Sequence, residues 1–106
     1  MQLVPLATTE AQTLNIVLNN QICQINVYQK FYGVFVDLYV NNTLIIGGVI
    51  AQNLNRIVIS AYLGFKGDLM FLDTEGDDDP DWTGLGTRWI LIYITPIELA
   101  AAGLSG

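Results

Sequence analysis

Hydrophobic residues recur at every second position along much of this chain, the period of a strand with one buried face rather than that of a helix. Leu14, Ile16 and Leu18 fall on one side and Asn15 and Asn19 on the other, which predicts a half-buried strand beginning near Thr13. Asparagine tolerates positive φ, so Asn19-Asn20 can form a tight hairpin that returns the chain through Cys23, Ile25 and Val27, with Gln24 and Asn26 outward. Val34, Val36, Leu38 and Val40 share one face of a third strand rich in β-branched and aromatic residues. A second pair, Asn41-Asn42, leads into Leu44-Ile45-Ile46, where Gly47-Gly48 marks a bulge or bend before Val49-Ile50-Ala51.

The alternation weakens from Gln52 to Gly67. Ile57-Val58-Ile59 fits a strand, the flanking Asn and Gly residues fit an irregular crossing, and both readings stay open. Strand character returns at Leu69-Met70-Phe71-Leu72 and from Arg88 to Ile94. There Trp89, Leu91 and Tyr93 oppose Ile90, Ile92 and Ile94, so this last strand is expected to be central or covered on two sides. Thr95-Pro96-Ile97-Glu98 combines an N-cap threonine, a proline at the first helical position and a glutamate placed to close a capping box. A short helix ending near Gly103 follows, too short to persist unless it docks. About six short strands joined by turns predict an all-β fold, a small antiparallel β-barrel or sandwich with a short C-terminal helix. Residues 1–106 read as a single β domain, with 95–106 its helical tail.

Composition adds that this domain has little charge with which to solvate a surface. Only 13% of the 106 residues are charged and 52% are hydrophobic, against roughly 25% charged in a typical soluble domain. Apolar runs remain short, and the longest candidate, Leu44 to Ala51, is interrupted by Gly47-Gly48, so no transmembrane helix and no membrane partner are expected. Burial against other subunits is the natural outlet for the apolar surface, with a well-filled monomeric core as the alternative. Met1 to Leu6 lacks the basic and apolar regions of a secretory signal, and the single Cys23 can form no internal disulfide. Both point to synthesis in a reducing cytoplasm. Cys23, set among alternating strand residues, reads as buried filler.

The net charge of −6 is concentrated in one stretch. Asp68, Asp73, Glu75, Asp77, Asp78, Asp79 and Asp81 account for most of the acids, whereas Lys30, Arg56, Lys66 and Arg88 are scattered. Binding a phosphate backbone needs clustered cations, so no direct nucleic-acid contact is expected. Closely spaced carboxylates from 73 to 81 raise a calcium reading, but Gly76 comes too early for a calcium loop and Gly84 stands where a bidentate glutamate is needed. A solvated or partner-facing acidic loop is preferred, with no metal and no cofactor. Paired carboxylates can also cleave glycosidic bonds, yet nothing apolar surrounds these to raise one pKa. Histidine is absent, which removes histidine-activated nucleophiles, and Gly84-Leu85-Gly86-Thr87 lacks the lysine of a phosphate loop. No catalytic residue is assigned and no enzymatic activity is expected.

The residues singled out as interaction candidates are Asp77, Asp79, Asp81, Trp82 and Arg88. Trp82 is either a lid over one end of the domain or an anchor in a partner's pocket, while Trp89 reads as core. For Arg88 the preferred reading is a salt bridge that pins the acidic loop across that end, and partner contact competes with it.

Several of these residues also carry a likeness. Leu69-Met70-Phe71-Leu72-Asp73, Gly76-Asp77, Asp79-Pro80 and Leu85-Gly86-Thr87-Arg88, followed by an aromatic-rich strand reaching Tyr93, resemble the C-terminal signature of the phage baseplate plug family. Phe35-Val36-Asp37-Leu38-Tyr39 is similar to that family's central strand and Pro5-Leu6 to its usual start, while the tail from Thr95 to Gly106 is unmatched. The resemblance implies a structural virion protein of a contractile phage tail, made in the host cytoplasm and built into the baseplate in multiple copies. Its implied partners are other baseplate proteins, namely the hub, central spike and wedge, with no catalysis. The alternatives are a calcium- or ligand-binding β module using the acidic loop 73–81 and, more remotely, a carboxylate-based cell-wall hydrolase.

Overall fold

Two Asn-Asn pairs set the larger sheet, because all four residues adopt the positive φ that a two-residue hairpin turn demands: Asn19 (51°), Asn20 (61°), Asn41 (50°) and Asn42 (66°). The computed structural model describes residues 1–59 and 64–103. In chain order the strands are β1 (Gln2–Val4), β2 (Ala11–Leu18), β3 (Gln21–Lys30), β4 (Gly33–Val40), β5 (Thr43–Ile50), β6 (Asp68–Asp73) and β7 (Trp89–Ile94), followed by helix α1 (Pro96–Ala101). β2-β3-β4-β5 form an antiparallel meander and β1-β7-β6 a smaller antiparallel sheet. The ladders of the described residues stay in these two separate sheets, so the architecture is a sandwich rather than a closed barrel.

Alternation places the core as expected. Cys23, Ile25 and Val27 of β3 and Val34, Val36 and Leu38 of β4 are buried in one cluster with Leu69, Phe71, Leu91, Tyr93 and Val4 from the smaller sheet. Cys23 is filler, and burial pushes its thiol pKa up. Gln21 links the two layers at the end of the core. Its Oε1 accepts from the Lys66 N–H at 2.8 Å, and its Nε2 donates to the Leu18 and Lys66 carbonyls, so a buried amide is fully satisfied. The Gly47-Gly48 irregularity is a bulge opposite Asp37, whose Oδ1 accepts from the Gly48 N–H at 2.7 Å and from the Tyr28 hydroxyl at 2.9 Å.

β1 was not evident from periodicity, since three residues are too few to show a period; it pairs with β7 from Gln2↔Tyr93 to Val4↔Leu91. That pairing makes β7 central, as its two apolar faces predict. α1 carries the complete capping box between Thr95 and Glu98, and its Leu99 is buried, so the helix docks on its own domain. Residues 104–106 of the expected tail lie outside the described residues.

The stretch left open between Gln52 and Gly67 is an irregular crossing held by a buried carboxylate rather than a strand; its residues 60–63 lie outside the described ones. Asp68, with no side-chain exposure, accepts the N–H groups of Ile57 (3.2 Å), Val58 (2.8 Å), Ile59 (2.9 Å) and Leu69 (2.7 Å), and the Arg56 Nε at 2.8 Å. A charged acceptor with this many donors tolerates burial, whereas an amide in its place turns an NH₂ toward N–H groups. Asp68→Asn is therefore expected to lower stability by about 3 kcal/mol, read as a fall in the urea midpoint. A midpoint unchanged from wild type would remove Asp68 as the organiser of the crossing.

Candidate functional site

The acidic connection between β6 and β7 is built inward from Asp73. This residue closes β6 opposite Trp89, and its carboxylate is shielded from solvent. Arg88 meets it with two parallel bonds, Nε to Oδ1 and Nη2 to Oδ2, both 2.9 Å, the fork geometry that makes arginine–carboxylate pairs strong. The same carboxylate accepts the backbone N–H groups of Glu75 and Asp78 at 2.9 Å, which curls the start of the loop around it. Arg88 hydrogen bonds hold the Asp73 carboxyl well below the usual carboxylate range, overcoming the upward push of its burial, and Asp73 in turn holds the guanidinium above its ordinary value.

From this pair the loop is tied in four directions. Arg88 Nη2 also donates to Asp78 Oδ2 at 2.9 Å, and its guanidinium lies 4.4 Å from the Trp89 ring centroid, a cation–π contact. Trp89 Nε1 donates to the Asp78 carbonyl at 3.0 Å. Asp79 accepts from the Asn53 N–H at 3.0 Å, binding the loop to the crossing. Asp81 caps a 3-10 turn, Trp82–Gly84, by accepting the Thr83 N–H. The Trp82 N–H donates to Gln29 Oε1 at 3.1 Å, fastening that turn to the end of β3.

The Leu85-Gly86-Thr87-Arg88 run has a physical reason at each key position. Leu85 is core. Gly86 takes φ +80° so close to Leu6 that a Cβ would stand 2.3 Å from the Leu6 carbonyl oxygen, a conformation and a space that only glycine suits. Gly84 lies against the Trp89 ring, where a Cβ would approach to 2.4 Å.

The five candidates from the sequence thus share one end of the sandwich but point differently. Arg88 is turned inward in the salt bridge that was preferred for it. Asp79 ties the loop to the crossing through the Asn53 N–H, Asp81 holds the loop's own backbone at Thr83, Asp77 is exposed, and Trp82 is half-buried against the core. Among the described residues no three acidic or cysteine side chains converge in a way that could hold a metal ion. The carboxylates of Asp73, Asp78, Asp79 and Asp81 accept from N–H groups or the Arg88 guanidinium.

Sequence reasoning passed over the most exposed feature of this end. Phe31 and Tyr32 form the tip of the β3–β4 hairpin, 93% and 80% exposed, with their rings edge to face at 5.1 Å. The signal was present, because two large aromatics occupy turn positions where Asn, Asp or Gly is usual. Gln29, bonded to Trp82, places this tip beside the acidic loop.

Together these features define a β-sandwich subunit whose charged loop is fixed by its own ion pair and whose aromatic tip stays at the surface. The family model described as "Cyanophage baseplate Pam3 plug gp18" matches residues 1–96, and the chain belongs to that family. No match was found among curated proteins. Membership gives the chain a structural role in the phage tail baseplate.

The ion pair predicts a particular acid response. The folded Asp73 carboxyl titrates below its unfolded value of about 3.9, so the unfolded state binds more protons in acid and stability rises with pH across that window. Its contribution is full above about pH 4 and is lost as pH falls through the folded value. Glu98, which the Met1 ammonium and the helix cap lower to about 2, acts in the same sense. Urea midpoints measured below and above about pH 4 should show Asp73→Asn less stable than wild type at neutral pH and less sensitive to acid. An acid slope identical to wild type would place the sensitivity elsewhere.

Proposed function

We propose that this chain is a plug subunit of a contractile-tail baseplate, packing near the hub and central spike through the end that carries the acidic loop and the Phe31-Tyr32 tip. The observation that carries the reading is the exposure of those two rings, 93% and 80%, in a family of baseplate plugs. Large rigid aromatics lose little conformational entropy on docking and dominate interface energetics when seated in a pocket. Around them Glu75, Asp77 and the remaining loop acids form a negative rim, suited to a neighbour with basic residues beside an apolar pocket. Such a rim steers encounter and rejects like-charged partners more than it adds affinity.

The Asp73–Arg88 pair contributes by preorganisation. A loop already curled around a buried carboxylate has little freedom left to lose when it meets a neighbour. Trp82 then serves first as a lid on its own core, and its remaining exposed surface joins the contact. The subunit acts by adding buried interface to hub and spike, in several copies per particle and next to the wedge, and fixes the baseplate before contraction. No step requires catalysis.

Light scattering of the purified chain mixed with the hub or spike protein of the same phage should reveal a stable complex. Phe31→Ala combined with Tyr32→Ser should weaken that complex about tenfold or more, and added salt should slow its formation more than it speeds its decay. A calcium titration followed by tryptophan fluorescence should leave the emission unchanged. A chain indifferent to both proteins, or one whose emission responds to calcium, would overturn the reading.

A further inference from the structure

A sheet edge is a row of unpaired backbone groups unless something covers it, and three of the four edges of this sandwich are dealt with. β1 has only three residues. β5 is broken by register shifts at the Gly47-Gly48 bulge and next to Ile45. The outer edge of β6 is covered by the crossing, through bridges at Asn53 and Arg56 and through Leu54 and Ile57 N–H groups donating to Phe71 and Leu69 carbonyls.

β2 is different. It is eight residues long, holds an unbroken register with β3 from Ala11↔Tyr28 to Leu18↔Gln21, and contains no charge and no proline. Its hydrogen-bond phase follows from the hairpin. A two-residue turn makes Leu18 and Gln21 a bonded pair, and the Gln29 N–H donating to the Glu10 carbonyl at 2.7 Å continues the same even-numbered phase. Ala11, Thr13, Asn15 and Val17 therefore turn their backbone groups away from β3. The Thr9 hydroxyl occupies both groups of Ala11; for Thr13, Asn15 and Val17, no partner exists among the described residues. The outer side chains beside this edge are apolar where it matters, with Val17 58% exposed and its cross-strand partner Ile22 65% exposed.

We propose that β2 pairs antiparallel with β2 of a second copy of this chain, joining the two larger sheets into one continuous sheet. Three observations select a second copy. First, a twofold pairing centred on Asn15 sets Asn15 against Asn15, Thr13 against Val17 and Leu14 against Ile16, so no charge meets another and inner apolar residues meet their like. Second, the acidic loop lies at the Ala11 end of β2, through Gln29 and Trp82, and antiparallel pairing sends the two loops to opposite ends, which suits a chain of net charge −6. Third, with the other edges covered, short or bulged, the pairing closes at two subunits instead of growing into a filament.

Sedimentation velocity of the whole chain over a wide concentration range should show a reversible dimer. Asn15→Pro removes only an edge-facing N–H and leaves the β2–β3 ladder intact, so it should give a monomer with the wild-type circular dichroism spectrum. Val17→Lys, which guards the edge by charge without touching the backbone, should raise the dimer dissociation constant at least about tenfold. The Phe31→Ala, Tyr32→Ser double variant should keep the dimer, because the hairpin tip lies off this edge. A wild-type chain that remains monomeric at every concentration would overturn the proposal. So would a dimer that survives Val17→Lys, or one that is lost only with the aromatic tip.

Discussion

Burying the Asp73 carboxylate at the end of β6 is unfavourable unless every lone pair finds a donor, and the whole acidic end of the molecule is arranged to provide them. Arg88 brings two N–H groups in fork geometry, and Glu75 and Asp78 bring their backbone N–H groups. The consequence is geometric. A fifteen-residue connection that would otherwise sample many conformations is drawn back over its origin, and Arg88 is delivered next to Trp89 at the exact start of β7. Asp68 repeats the device at the other end of β6, where it gathers the N–H groups of residues 57–59. One six-residue strand thus carries at its two termini the charges that order the two irregular segments beside it.

This division explains what the sequence made legible. Where side chains alternate, burial itself specifies the conformation, and the faces of β3, β4 and β7 follow directly from Val, Ile and Leu at every second position. Both Asn-Asn turns and the Thr95–Glu98 cap were readable because their chemistry is local, lying within four residues. Asp68 was not readable as an organiser, since its donors sit some ten residues earlier in a segment whose apolar residues mimic a strand. The Arg88 pairing was readable in outline because the arginine ends an otherwise acidic loop, but which carboxylate it would choose depended on Asp73 being drawn under the sheet end. Phe31 and Tyr32 sit in the connection that the alternation leaves between Val27 and Val34, and only the strand register shows that they form its exposed two-residue tip.

With 13% charged residues, a chain of this size has few groups to spread over its surface, and several of those present are committed to internal tasks. Arg88 is engaged by Asp73 and Asp78, and Arg56 by Asp68. On the outer face of the larger sheet Asp37 is engaged by Tyr28 and Gly48, and the rest mixes Asn, Gln and Thr with Tyr28, Phe35, Tyr39 and exposed Val17, Ile22 and Leu44. Such a surface has weak defences against association, which is a disadvantage for a free monomer and no obstacle for a subunit of a baseplate.

The aromatic tip and the β2 edge make different geometric demands, and this constrains how they can be used together. The tip extends the β3–β4 turn at the acidic end, whereas the edge runs along the side of the larger sheet. A twofold pair formed through β2 points its two tips in opposite directions, so both cannot enter pockets on the same face of one partner. The dimer can therefore bridge two neighbours or seat one tip and leave the other free, and a ring of pockets that takes every tip from one side must separate it. Edge pairing relies on backbone bonds that water can replace, while the tip removes two large rings from water. Apolar burial of that kind is worth about 1.5–3 kcal/mol for each ring, against about 1 kcal/mol net for each backbone bond. With Thr13, Asn15 and Val17 supplying the open groups of each edge, the two contributions are of similar size, so docking of the tip can compete with pairing and exchange one for the other.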